Sequence, residues 1–148
     1  MRTDPSLPVE HDARALGAAA ERLGARMVVL FGSFATGSPP PGPDSDIDLA
    51  LSFHRGIPLP GLSALLETLA PAFPGRELDP VRLADADPLF RWEIMERGVL
   101  LHGDQLEFLE YRAFAYRDFV DSADLRALER ALFDKRMAYV RGIVRGAA

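Results

Sequence analysis

Apolar residues recur along this chain with two different periods. Between Val9 and Leu23 the segment VEHDARALGAAAERL is alanine-rich, with apolar positions at helical spacing, and Gly24 is placed to end it. Met27 to Phe31 (MVVLF) is a continuous apolar run closed by Gly32, which predicts a buried strand, and Ile47 to Phe53 is a second. The SPPPGPDS stretch between them predicts a loop, because prolines fix φ and remove donors. Leu59, Leu62, Leu65, Leu66 and Leu69 then share a helical stripe that stops near Pro71 and Pro74. Glu77 to Leu83 reads as a third strand, with Pro80 predicting an edge position or a bulge. Asp87-Pro88 is a helix start running to Arg97, and Val99-Leu100-Leu101 is a fourth short strand. From Asp104 the period is helical again: Leu106, Leu109, Ala113, Tyr116 and Val120 form a stripe, and a second helix spans about Leu125 to Ile143. The order predicts an α/β (α+β) fold with two helices at its C-terminal end.

The 148 residues suit a single domain, which buries roughly 70% of its unfolded surface. Its core is expected at about residues 10–103, with a helical extension over about 104–148. A composition 48% hydrophobic and 26% charged is that of a globular protein. With no cysteine, thiol nucleophiles and Cys-ligated zinc are excluded. No apolar run approaches the ~20 residues of a membrane span, and MRTDPSLPVEHD lacks the apolar centre of a signal peptide, so a cytoplasmic, membrane-free protein is expected. The net charge of −5 argues against strong general binding of nucleic acid, whose affinity comes from neutralising phosphates. The base-rich end, KRMAYVRGIVRGAA, reads as a solvated helix face.

Against this background Asp46 and Asp48 stand out, one residue apart at the head of an apolar run. A carboxylate taken out of water unpaired is penalised by several kcal/mol or more. In an extended chain residues i and i+2 project to one side, so both carboxylates point one way and Ile47 the other. They repel until a cation joins them, and Mg²⁺ takes a few carboxylates together with water and phosphate oxygens. Gly32-Ser33, at the end of the first strand, lets backbone approach a ligand closely and offers a hydroxyl and amides to phosphate. Asp79, inside the third strand, is the candidate to join the pair, as a ligand or as acceptor of a hydroxyl proton. Glu77 alternates with Asp79, so either acid faces the pair or solvent. Ser33 also reads as an ordinary turn residue, and Asp46/Asp48 as a polar strand end with Asp44-Ser45 as turn residues.

Gly32-Ser33, the loop, Asp46-Ile47-Asp48 and Asp79 resemble the signature of the nucleotidyltransferase superfamily that includes DNA polymerase β. The short length and the DPLFRWEIMERGVLLHGD segment are similar to the minimal nucleotidyltransferases, which pair as antitoxins with HEPN-domain ribonuclease toxins. The resemblance covers roughly residues 10–103 well and the last two helices loosely. It implies a small mixed sheet flanked by helices, the polymerase β-like fold, and Mg²⁺-dependent transfer of a nucleoside monophosphate from a triphosphate, usually ATP, to a hydroxyl. By the same resemblance Gly32 and Ser33 hold the triphosphate, Asp46 and Asp48 bind two Mg²⁺ ions, and Asp79 completes the metal site. The acceptor it implies is a hydroxyl on a HEPN toxin, and homo- or hetero-oligomers are compatible with it.

The sequence departs from that pattern in two places. Pro39-Pro40-Pro41-Gly42-Pro43 lengthens the loop, and Phe34-Ala35-Thr36 stands where many relatives carry an arginine. Alternatives therefore stay open: an inactive binding module that neutralises a partner by contact through its C-terminal helices, or a small-molecule transferase of the antibiotic-modifying type. Those last relatives have a larger C-terminal substrate domain than the about 45 residues here. His11, His54 and His102 lack ligand spacing and are expected at the surface or as caps. Phe90 and Trp92 are expected in the core. The aromatics of residues 108 to 119 occupy more than one helix face, to pack the core or meet a partner.

Overall fold

The computed structural model describes residues 7–147; Met1 to Ser6, which open the MRTDPSLPVEHD stretch, and Ala148 lie outside the described residues. The elements run α1 (Ala13–Leu23), β1 (Ala25–Phe31), α2 (Ser33–Thr36), β2 (Ile47–Phe53), α3 (Leu62–Leu69), β3 (Leu78–Arg82), α4 (Pro88–Arg97), β4 (Val99–His102), α5 (Gln105–Asp121) and α6 (Ala123–Gly146). The four strands form one mixed sheet in the order β3-β2-β1-β4, antiparallel around β1 and parallel between β2 and β3.

Strand alternation divides the core into two layers. Val28 and Leu30 of β1 and Ile47, Leu49 and Leu51 of β2 pack with α1 and α3, while Met27 and Val29 of β1 and Ala50 of β2 pack with α4 and α5. Asp48, like Ala50, therefore belongs to the α4 side, and Ile47 is fully buried on the other, as its spacing predicts.

Helix boundaries follow local chemistry. The Asp12 carboxylate accepts from the amides of Arg14 and Ala15 at 3.0 and 3.1 Å, so α1 starts after Asp12 rather than at Val9. Asp87 caps α4 by accepting from Phe90 N at 2.8 Å, and Gly98 follows its last turn as expected.

Pro80 sits on an edge strand, as predicted. Ile47 N donates to Glu77 O at 2.9 Å, so the polar backbone groups of 77, 79 and 81 turn toward β2 and those of 78 and 80 turn outward. The donor that Pro80 lacks therefore belongs to the free edge, and the ladder to β2 loses no bond.

One expectation is corrected, and one choice left open by the sequence is decided. His11 is 3% exposed, not superficial: Nδ1–H donates to Val9 O at 3.0 Å and the ring stacks on Phe73 at 5.7 Å, because the residues before α1 tuck beneath that phenylalanine. On α5 the Leu106 to Val120 stripe faces outward, with Leu106 64% exposed, while Phe108 and Ala115 are buried beside Tyr111. Residues 108, 111, 115 and 119 have the same three-and-four spacing, so periodicity could not choose between the faces. α6 buries none of its side chains, and Tyr139 and Val144 are 70% and 66% exposed. Among the described residues no helix is long and apolar enough to cross a membrane.

Candidate active site

The end of β1 sets the geometry. Gly32 takes φ 71° and ψ −154°, and α2 turns immediately after it, with Ala35 N and Thr36 N both donating to Gly32 O at 3.1 Å. The first amides of such a turn, those of Ser33 and Phe34, have no carbonyl within it to reach. The Thr36 hydroxyl donates toward the Gly32 and Ser38 carbonyls and accepts from Ser38 N, each at 3.2 Å, so it is engaged in holding the turn. The proline loop is pinned in turn: Gly42 N donates to Ser45 Oγ at 2.8 Å, and Arg76 Nη1 donates to Pro43 O at 2.9 Å.

Asp48 lies against this turn. It pairs with Phe31 across β1 and with Asp79 across β3, which puts Asp48 and Asp79 side by side on the α4 face of the sheet. A Cβ on Gly32 would stand 2.1 Å from Asp48 Oδ2, so the carboxylate packs onto bare backbone. Burial pushes the Asp48 pKa up, and the charges of Asp79 and Asp46 push it further the same way. Asp46, exposed in the residue before β2, thus shares an electrostatic neighbourhood with the other two. All five sequence candidates meet at one end of the sheet. Glu77 precedes β3 and is not one of its register partners with β2, whereas Asp79 is paired with Asp48, which separates the two acids.

Among the described residues no three His, Cys, Asp or Glu side chains are gathered tightly enough to enclose an ion unaided. Mg²⁺ does not require that: one or two carboxylates with water and substrate phosphates complete its shell. The set is all oxygen, open toward solvent, and mutually repulsive at Asp48, so these residues fit such an ion.

Sequence reasoning missed the opposite wall. A cleft of about 400 Å³ separates Gly32, Ser33 and Thr36 from Phe90, Glu93 and Arg97 of α4. Phe90, expected in the core, stands edge-on to Phe31 at 5.9 Å and also borders a second cleft of about 380 Å³ beside Pro80, Val81 and Leu65. Trp92 is half-buried at the margin of the core, packing against Tyr116 and Phe119 of α5 at 5.1 and 6.5 Å. The spacing of Phe90, Ile94 and Arg97 was a helical stripe in plain view; what it faces depends on how α4 lies on the sheet.

The family model for polymerase beta nucleotidyltransferases matches residues 18–107. This chain belongs to the polymerase β nucleotidyltransferase family. Its match runs from the middle of α1 to the first turn of α5 and includes the Gly32 turn and all three aspartates. The nucleotidyltransferase fold is also that of several solved structures. A toxin–antitoxin structure with AMP-PNP superposes at a TM-score of 0.65, with 21% identity, covering 85% of this chain and 98% of the other. An MntA–HepT toxin–antitoxin structure gives 0.59 at 20% identity over 84% and 96% of the two chains. A structure of a tri-AMPylated Shewanella oneidensis HEPN toxin with its MNT antitoxin gives 0.58 at 20% identity over 84% and 95%. No curated protein matches this nucleotidyltransferase in sequence.

Proposed function

We propose that this chain is a Mg²⁺-dependent nucleotidyltransferase that moves AMP from ATP to a protein hydroxyl, tyrosine first among candidates, and that it acts as the antitoxin of a HEPN-type ribonuclease toxin. The observation that carries the reading is the register pairing of Asp48 with Asp79 beside the Gly32 backbone. The resemblance to structures of toxin–antitoxin complexes, one with AMP-PNP and one with an AMPylated toxin, supports the choice of nucleotide and partner.

In this reading Gly32 and Ser33 hold the triphosphate, and Asp46, Asp48 and Asp79 hold the metal. Bound there, Mg²⁺ supplies charge neutralisation and polarisation of the phosphate oxygens. The acceptor oxygen attacks the α-phosphorus and forms a new P–O bond, the bond to the oxygen bridging to the β-phosphate breaks, and pyrophosphate departs. Asp79, on the edge strand, takes the hydroxyl proton or orients the acceptor. The test is transfer of label from α-labelled ATP to a HEPN-type partner in Mg²⁺. Equal labelling by the protein and by Asp46→Asn, or none by either, rejects the reading.

The bare apolar surface of α6 and the lack of an arginine at Phe34-Ala35-Thr36 favour a second reading, neutralisation by contact alone. Rescue of toxin-expressing cells by Asp46→Asn/Asp48→Asn would select it. Loss of rescue with the complex intact would remove it.

A further inference from the structure

We infer that Arg97, reaching across the cleft from the last turn of α4, binds the β- and γ-phosphates of the nucleotide and so replaces the cation missing from the α2 turn; this rests on the nucleotidyltransferase reading above. A triphosphate brings more negative charge to a site that already gathers three carboxylates. The near wall answers with neutral groups only, and the hydroxyl of Thr36 is engaged by the turn itself. On the far wall Arg97 is the only cation bordering the cleft among the described residues.

The other arginines around the site are occupied. Arg91 is held by Asp118 at 3.0 Å and by Ala86 O at 2.8 Å, Arg82 by Asp85, and Arg76 by Pro43 O. Arg97 has no ion pair or side-chain hydrogen bond among the described residues. Glu93, one turn before it, competes for it only as an exposed neighbour, an interaction that is weak in water.

Its anchorage is firm. A Cβ on Gly98 would meet Ile94 O at 2.5 Å and Val29 Cγ1 at 2.6 Å, so the end of α4 is pressed onto β1, the strand that ends at Gly32. Arg112 of α5 donates from Nε to Met95 O at 2.8 Å, capping the last turn and offsetting its negative end. The Arg97 backbone is thus fixed relative to the phosphate turn while its guanidinium stays available.

Topology assigns the phosphates. Arg97 leads directly into β4, whereas Asp79 lies on β3, at the opposite edge of the sheet. An α-phosphate beside Asp48 then has the acceptor on the β3 side and its β- and γ-phosphates running along α2 toward Arg97. That is the in-line order for a departing pyrophosphate.

The experiment is titration calorimetry of the full chain with Mg²⁺–ATP and, separately, AMP, for the unaltered protein, Arg97→Gln and Arg97→Lys, with melting curves as a check on folding. Arg97→Gln is expected to weaken Mg²⁺–ATP about ten- to a hundredfold and leave AMP within about twofold. Arg97→Lys falls between, keeping the charge but losing the fork. Unchanged Mg²⁺–ATP affinity in Arg97→Gln overturns the inference, as does equal loss for ATP and AMP. Absence of nucleotide binding in the unaltered protein overturns it together with the nucleotidyltransferase reading, whereas binding that ignores Arg97 but disappears in Asp48→Asn overturns this inference alone.

Discussion

Asp48 and Asp79 are register partners on adjacent parallel strands, two carboxylates held side by side on one face of the sheet. With Asp46 next to them, this juxtaposition makes the folded chain work against its own charge.

Asp48 titrates above its ordinary value of 3.8 because of burial first and its acidic neighbours second. A raised carboxylate pKa means that the fold favours the protonated form. The contribution of Asp48 to stability is fully present below the ordinary value and is lost as pH rises through the folded-state pKa. Asp48→Asn should therefore melt higher than the unaltered protein at neutral pH, by about 2–4 °C for each kcal/mol recovered. The gain should vanish in acid. Melting curves from pH 3 to pH 7, in chelator, check it.

Added Mg²⁺ should raise the melting temperature of the unaltered protein, since an ion that binds only the folded site stabilises it by about 1.4 kcal/mol at ten times its Kd. Asp48→Asn and Asp79→Asn should lose most of that response while folding normally. Thermal shift against a magnesium series distinguishes this from a general salt effect, for which sodium at equal ionic strength serves as the control.

Gly32→Ala places a methyl where Asp48 Oδ2 stands and forces an L side chain to φ 71°. At ψ −154° this is a backbone conformation open essentially to glycine alone, unfavourable by about 1–3 kcal/mol for an L side chain, and the carboxylate must also move. Nucleotidyl transfer should drop by at least about a hundredfold, because a displacement near 1 Å has effects of that size. Label transfer and a melting curve on the same preparation separate lost geometry from lost fold.

Deleting residues 131–148 should change the melting temperature by less than about 2 °C, since α6 buries no side chain and its attachment to α5 runs through Arg126, which donates to Phe119 O at 2.6 Å. Capture of a HEPN-type partner should fall sharply in the same variant. Calorimetry and a binding assay together check the two halves of this expectation.

Elements bounded by strong local chemistry were legible from the chain. Asp87-Pro88 and Gly98 frame α4, Pro80 marks an edge, and the parity of Asp46, Ile47 and Asp48 fixes which side chains share a face. Asp79 was readable as a candidate, but its advantage over Glu77 exists only in the register with β2. Packing choices between equivalent faces were not legible. The two stripes of α5 have the same period, and His11 is buried by a phenylalanine 62 positions away in sequence. Arg97 and Phe90 were hidden for the same reason: a helix announces its stripe, but the crossing of α4 over β1 decides what that stripe confronts.

Pro80 has a last effect on how a substrate arrives. A polypeptide trying to extend the sheet alongside β3 would meet a gap in the row of donors right next to Asp79, so annexation as a fifth strand is discouraged at the very place where an acceptor must come. The visitor has to present a protruding side chain instead of its main chain, which suits a hydroxyl offered from a helix or a loop tip.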